Sequence, residues 1–201
     1  PCIGQSWRLS MRELLLGLDG GGSKTLALLA DAAGHVVGRG MAGASNYQNI
    51  GENAPQWQNV ALTIDNAIGG LDLKGIRIEK DLGSLEIFAD YLLEKVFYNL
   101  VENSIRHGEK ATLIRFSCRK EGDDLILLCE DDGVGIPEGA KERIFKREYY
   151  RNTGYGLFLS GEILSITGLT IRETGEPGKG ARFEIIAPKG VHRMGHQDGQ
   201  G

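Results

Sequence analysis

The hydrophobic positions of this chain change their spacing several times, and each change marks a new element. From Leu14 the run LLLGLDGGGSKTLALLAD reads as an apolar strand, a glycine-rich turn and a second apolar strand. AAGHVVGRG adds another turn and strand, so three antiparallel strands are predicted there. Gly43 to Pro55 is polar and rich in Gly and Asn, with no apolar period, which places a junction around Glu52 to Pro55. Beyond it, Trp57–Val60 reads as a short strand and Ala61–Ile68 as a short helix. IRIEKDL and LEIFAD read as two strands around a turn at Gly83-Ser84.

The strongest helical signal follows. Leu92, Leu93, Val96, Phe97, Leu100, Val101 and Ile105 recur at helical spacing, with Gly108 as a stop, which makes that face core. ATLIRFSCRK and DDLILLCEDDG then alternate as a hairpin turning at Gly122-Asp123, with Ile114, Phe116 and Cys118 opposed to Arg115, Ser117 and Arg119. A polar segment from Glu138 to Thr153 precedes a second helix, Leu157–Thr167, that stops at Gly168. LTIRET and ARFEIIA close as a last hairpin around GEPGKG. This order predicts an α+β fold rather than a regular βαβ repeat: a two-layer sandwich of a mixed, mainly antiparallel sheet packed on helices, preceded by an extra β-hairpin-rich segment.

Composition narrows the partners. With 201 residues, 41% of them hydrophobic and 25% charged, the chain can bury one main core plus an appendage. A net charge of −4 gives no field that would attract nucleic acid or an acidic membrane surface. Cys2, Cys118 and Cys129 show neither CxxC spacing nor a cluster with the four histidines, so neither a disulfide framework nor a zinc site is expected, and a reducing cytoplasm is the expected setting. No run approaches the roughly 18 apolar residues of a membrane span, so no membrane contact is expected of this segment. Pro1–Ser10 lacks a usable period and precedes Met11, as a disordered tag or scar would. Residues 191–201 read as a flexible tail.

Four short constellations carry the chemistry. Asn99 and Asn103 lie four apart beside the apolar stripe of the long helix, so they project from one face. An amide oxygen suits Mg²⁺, which shares phosphate oxygens and keeps several waters, whereas an isolated pair of this kind also caps or bridges local backbone. Arg106 and His107, just beyond, are placed to meet phosphate. In EDDGVGIP, Asp131 shares a strand face with Leu125, Leu127 and Cys129, so its carboxylate must be satisfied toward the buried side. Gly133 and Gly135 leave room beside it for a flat ring with an amino group, such as adenine, although an ordinary acidic turn has the same composition. NTGYGLFL sets Gly154 and Gly156 at a helix start, where unpaired N–H groups suit an anion. GKGARFEI supplies another glycine pair before the last strand, which alone is a hairpin turn.

Taken in order, YNLVENSIRHG, EDDGVGIP, ERIFKREYYRNTGYGLFL and GKGARFEI resemble the four boxes and lid of the histidine-kinase ATPase domain, the Bergerat-type fold shared with gyrase and MutL. The resemblance covers about residues 55–190 and implies a site for ATP and Mg²⁺. It assigns the metal to Asn103, the adenine amino group to Asp131, the adenine pocket to Gly133 and Gly135, the phosphates to Gly154, Tyr155, Gly156 and Leu157, and the lid anchor to Phe145. Relatives that hydrolyse ATP carry a glutamate where this chain has Asn99, so poor hydrolysis is implied and Asn99 is a weak catalytic candidate. The kinase branch passes the γ-phosphate to a histidine on a separate helical domain, and from there to a response regulator. His35, His107, His192 and His196 lack that context, so the chain is expected to bind ATP without phosphorylating itself. Lys141, Arg143, Lys146, Arg147 and Arg151 of the lid are expected to form a mostly solvated face. Gly161, inside a predicted helix, has no functional reason.

LGLDGGGSKTLALLADAAGHVVGRG, within residues 11–54, resembles the first phosphate loop of actin-like ATPases of the BadF and N-acetylglucosamine kinase type, with Asp19 toward metal-bound water and Gly20 to Thr25 around phosphate. Two alternatives to the kinase module are therefore open. One is a recombined or engineered chimeric scaffold with no selected function. The other is a sugar- or acyl-activating kinase that uses Asp19.

Overall fold

The computed structural model describes residues 55–146 and 156–195 and, before them, the backbone of three strands. These are β1 (Leu15–Gly21), β2 (Lys24–Ala30) and β3 (Val36–Gly43). They form an antiparallel sheet in the order β1-β2-β3, with Gly21 opposite Lys24 and Lys24 opposite Gly43, as the apolar runs predict. The chain divides into two compact units, Pro1–Glu52 and Asn53–Gly201.

The second unit begins with β4 (Gln56–Asn59), which leads directly into α1 (Val60–Ile68). Asn59 is the hinge between them: its side chain accepts the Leu62 N–H at 2.9 Å, and its carbonyl accepts the Thr63 hydroxyl at 2.8 Å. Such a cap satisfies a donor that the first helical turn leaves free. The order continues with β5 (Arg77–Asp81), β6 (Leu85–Ala89), α2 (Leu93–His107), β7 (Leu113–Glu121), β8 (Asp124–Asp131), a 3₁₀ turn at Glu138–Ala140, α3 (Gly156–Ser165), β9 (Thr170–Glu173), β10 (Arg182–Ala187) and β11 (His192–Met194).

Five strands form the main sheet in the order β5-β7-β8-β10-β9, parallel at β5/β7 and antiparallel elsewhere. The helices lie side by side, with α2 against both α1 and α3. The stripe on α2 faces the sheet, where Phe97 meets Phe116 of β7 edge to face with ring centroids 5.9 Å apart. Leu93, Val96, Leu100 and Val101 are buried with it, each worth about 1.5–3 kcal/mol of apolar burial. The opposite face of the sheet carries a row of alternating charge across four strands. Glu79, Arg115, Glu130 and Arg182 stand in register, with Arg115 bonded to Glu79 at 2.8 Å and Arg182 to Glu130 at 2.7 Å. The mixed sheet packed on helices is the α+β class the sequence predicts.

The turn at Gly83-Ser84 lies between two strands, as expected, and hands the chain from the five-stranded sheet to a separate sheet of order β11-β6-β4. Two local expectations are corrected. The fold does not end at residue 190, because His192–Met194 pair with Ile87, Glu86 and Leu85 as β11. A strand of three residues has too short a period to be read. Finally, α3 begins at Gly156 and ends at Ser165, followed by a turn in which Gly168, at φ +75°, lets the Leu169 N–H return to the Leu164 carbonyl at 3.1 Å. Within α3, a side chain at Gly161 would reach Ile171 of β9 at 4.0 Å, so this glycine sits where α3 approaches the sheet edge.

Candidate functional site

The chemistry concentrates where the C-terminal end of α2 meets the end of β8. Asp131 is the last residue of β8, and both its oxygens are engaged. Oδ2 accepts the Ser104 hydroxyl at 2.6 Å; Oδ1 accepts the N–H groups of Gly133 at 3.0 Å and Ala181 at 3.1 Å. The carboxylate is thus aimed by three elements, α2, the turn after β8 and the start of β10. Its neighbour Asp132 instead ties the chain to the start of β7, accepting the Thr112 and Leu113 N–H groups at 2.7 and 2.9 Å and the Thr112 hydroxyl at 2.6 Å. The Thr112 hydroxyl bond, aided by those backbone donors, holds the Asp132 carboxyl below the usual range.

Bare backbone lets these segments approach. A Cβ on Gly133 would stand 2.6 Å from the Gly108 carbonyl oxygen, and one on Gly180 would stand 1.8 Å from the Asp131 carbonyl oxygen. Gly180 also has φ +120°, a conformation that L side chains avoid. The GxG pairs on either side of Asp131 therefore act first as contact surfaces for the carboxylate's own frame.

A cleft of about 190 Å³ opens in front of Asp131. Asn103, Ser104, His107 and Gly108 line it from α2, Gly135, Ile136, Pro137, Ala140 and Ile144 from the segment after β8, Leu157 from α3, and Ala181 and Phe183 from the β10 side. Apolar side chains dominate, with Asn103, Ser104, His107 and Asp131 as the polar side chains in the lining. The Asn103 Nδ2 group is buried and makes no hydrogen bond within the protein. An orphaned buried donor costs about 1–3 kcal/mol, so this amide fits a site that a polar ligand completes. Among the described residues no group of three His, Cys, Asp or Glu could hold a metal ion. The Nδ2 donor cannot ligate a cation; a cation that takes most of its ligands from phosphate and water would use the Asn103 amide oxygen.

The predicted residues separate into groups. Asn103, His107, Asp131, Gly135 and Leu157 come together in the cleft, whereas Gly133 stands behind it, against Gly108. Asn99 is corrected: it is 3% exposed and does not line the cleft. Its Nδ2 donates to the Gly156 carbonyl at 2.9 Å and to the Ser160 hydroxyl at 3.2 Å, so it ties the first turn of α3 to α2. One helical turn separates the two asparagines along α2, and that rise is enough to place one under α3 and the other at the opening. Arg106 is exposed and faces Glu102, 3.6 Å away on its own helix, rather than the cleft. Phe145 does not line the cleft and packs edge to face on Phe183, with ring centroids 6.3 Å apart. Gly154, Tyr155, Arg147 and Arg151 lie outside the described residues, as do His35, His196 and the side chain of Asp19.

Lys141 departs most from expectation. In place of the solvated face expected of the lid's cations, the Lys141 side chain is 12% exposed, with Nζ 2.5 Å from the Gly175 carbonyl, 2.8 Å from Glu138 and 3.6 Å from the fully buried Glu173. The bond to Glu138 is the first cause of a raised Lys141 pKa. Arg143 and Lys146 are exposed. Sequence reasoning also misses Ser104, Gly108, Ile136, Pro137, Ala140, Ile144, Ala181 and Phe183 as cleft residues. Of these, Ser104 alone leaves a signal, as a small polar residue inside the buried face of a helix and one turn from Leu100.

The family described as "Histidine kinase-, DNA gyrase B-, and HSP90-like ATPase" matches residues 90–191, just over half of the chain. The chain belongs to this ATPase family. All the cleft residues, from Asn103 to Phe183, fall within the matched span. The sensor protein KinB of Pseudomonas aeruginosa, named for alginate biosynthesis, is 36% identical over 101 residues, 48% of this chain and 17% of that protein. The chain thus spans about a sixth of that relative's length. Among solved structures, the mycobacterial sensor histidine kinase MprB superposes with TM-score 0.58 at 16% identity, covering 67% of this chain and 97% of that one. Full-length ShkA in complex with AMPPNP superposes with TM-score 0.56 at 20% identity, covering 68% of this chain and 31% of that one. These two likenesses show the fold. Among the described residues no helix is long and apolar enough to cross a membrane.

Proposed function

We propose that residues 55–195 are the nucleotide-binding catalytic module of a sensor histidine kinase, and that the cleft in front of Asp131 takes ATP with Mg²⁺. The observation that carries this reading is the Asp131 carboxylate held in place by Ser104, Gly133 and Ala181 at the mouth of an apolar cleft. A fixed acceptor beside apolar walls suits a flat base with an exocyclic amino group. It opposes a base that presents a carbonyl oxygen there. Membership of the ATPase family and the AMPPNP bound by the similar ShkA point the same way.

In this reading Ile136, Ile144, Ala181 and Phe183 exclude water from the base, and Asn103 offers its amide to the metal side. His107, at the same rim, is placed to meet a phosphate oxygen. Asn103 would hold Mg²⁺ through its amide oxygen, and the ion would supply neutralisation of phosphate charge. The chain's own part is positioning: it holds the nucleotide while a histidine on a separate helical domain attacks. Asn99, with its amide committed to α3, supplies no general base for water, which fits slow hydrolysis.

Calorimetric titration with a non-hydrolysable ATP analogue, with and without Mg²⁺, tests the assignment. One saturable site is expected, weakened at least about tenfold in Asp131→Asn, where a charged acceptor becomes in part a donor. An unaltered affinity in that variant overturns the role of Asp131. Incubated alone with γ-labelled ATP, the 201-residue chain is expected to acquire no label.

A further inference from the structure

Resting on the nucleotide reading above, we infer that Lys141 is a positioning residue for the cleft: its ammonium sets the lid-side wall, and nucleotide affinity depends on it although it does not line the site. The segment after Pro137 winds as turns, with the Ala140 N–H returning to Pro137 and the Ile144 N–H to Ala140. That winding puts Ala140 and Ile144 on the cleft and sends Lys141, between them, the other way. There its ammonium meets the loop between β9 and β10, donating to the Gly175 carbonyl at 2.5 Å beside the Glu173 carboxylate at 3.6 Å.

The other end of the tie is rigid. Glu173 is paired with Phe183 in the β9/β10 register, and its Oε1 accepts the N–H groups of Gly175 at 2.9 Å and Arg182 at 3.1 Å. Its Oε2 is buried without a hydrogen bond, so the Lys141 charge is what compensates it. The loop touches the segment after β8 a second time, where the Gly178 N–H donates to the Val134 carbonyl at 2.7 Å. The Val134 contact fixes the near end of that segment; Lys141 fixes the part that carries Ala140 and Ile144. Through Glu173 the wall is referred to Phe183, which lines the opposite side. The spacing between the walls thus depends on the ties made by Lys141, beside the ring contact of Phe145 with Phe183.

A charge effect and a tether effect separate in two variants. Lys141→Met leaves Glu173 buried and uncompensated, so it should lower both the melting temperature and the affinity for the ATP analogue. Lys141→Met combined with Glu173→Gln keeps the acceptor for Gly175 and Arg182, removes the charge and still lacks the tether. The double variant should recover most of the melting temperature yet bind the analogue about tenfold more weakly than the parent, as a wall that is no longer preorganised requires. Parent-like affinity in the double variant overturns the positioning role while leaving the nucleotide reading intact. No binding by the parent chain overturns that reading, and this inference with it.

Discussion

The two sides of the cleft are held by opposite means. On the side of α2 and β8, Asp131 is fixed by three hydrogen bonds from three elements and by glycines at contact distance, so nothing there can move without breaking several contacts. On the lid side, Ala140 and Ile144 ride on a wound turn tied to the sheet side by the Lys141 ammonium and by the ring contact of Phe145 with Phe183. The first arrangement suits a group that reads one chemical feature of a ligand. The second suits a wall that is held at a set distance from that group by a few side-chain ties.

The severest break of the rigid side is Gly180→Ala. Its methyl would stand 1.8 Å from the Asp131 carbonyl oxygen in a backbone conformation that opposes any side chain. A loss of more than about 4 kcal/mol is expected in urea denaturation, because relief would require moving β8 itself. Next is Asn99→Ala. Removing the donor to Gly156 and Ser160 should cost about 1–3 kcal/mol of stability in the same measurement, by leaving a buried interhelical contact unmade.

Asn103→Ala sharpens the comparison from within one helix. Because the Nδ2 of Asn103 is already unpartnered, the chain should lose less than about 1 kcal/mol or gain slightly, while binding of the ATP analogue becomes insensitive to Mg²⁺. Equal stability losses at Asn99 and Asn103 would break the assignment of separate duties to them.

The smallest effect concerns pH. The Asp132 carboxyl is held below its usual range in the fold, chiefly by the Thr112 hydroxyl. Its stabilisation is therefore fully present above the unfolded value near 3.9 and is lost as pH falls through the lower folded value. Thr112→Val should be slightly less stable than the parent at neutral pH, with the gap closing below about pH 4. An acid titration of both proteins followed by circular dichroism checks this.

Much of this site is legible in the sequence because its signals are local. The helical stripe from Leu92 to Val101 needs only its own period, and Asp131 needs only the alternation of β8 to be placed with Leu125, Leu127 and Cys129. Asn99 and Asn103 are legible as a pair and not as individuals, since their environments differ through α3, which lies far along the chain. Lys141 is hidden for the same reason: inside a run of charged residues a lysine reads as solvated, and only the β9/β10 loop reveals its partner. Ala181 and Phe183 carry no functional chemistry in their own side chains. They matter because β10 is inserted between β8 and β9.

The parallel pairing of β5 with β7 has a kinetic consequence. The β7/β8 hairpin closes over a two-residue turn, Gly122-Asp123, whereas β5 joins β7 only after the chain has passed through β6 and α2. Local closure is fast and non-local closure is slow, so the hairpin serves as the template on which the edge strand arrives late. Substitutions in β5, such as at Ile78, should then speed unfolding more than they slow folding.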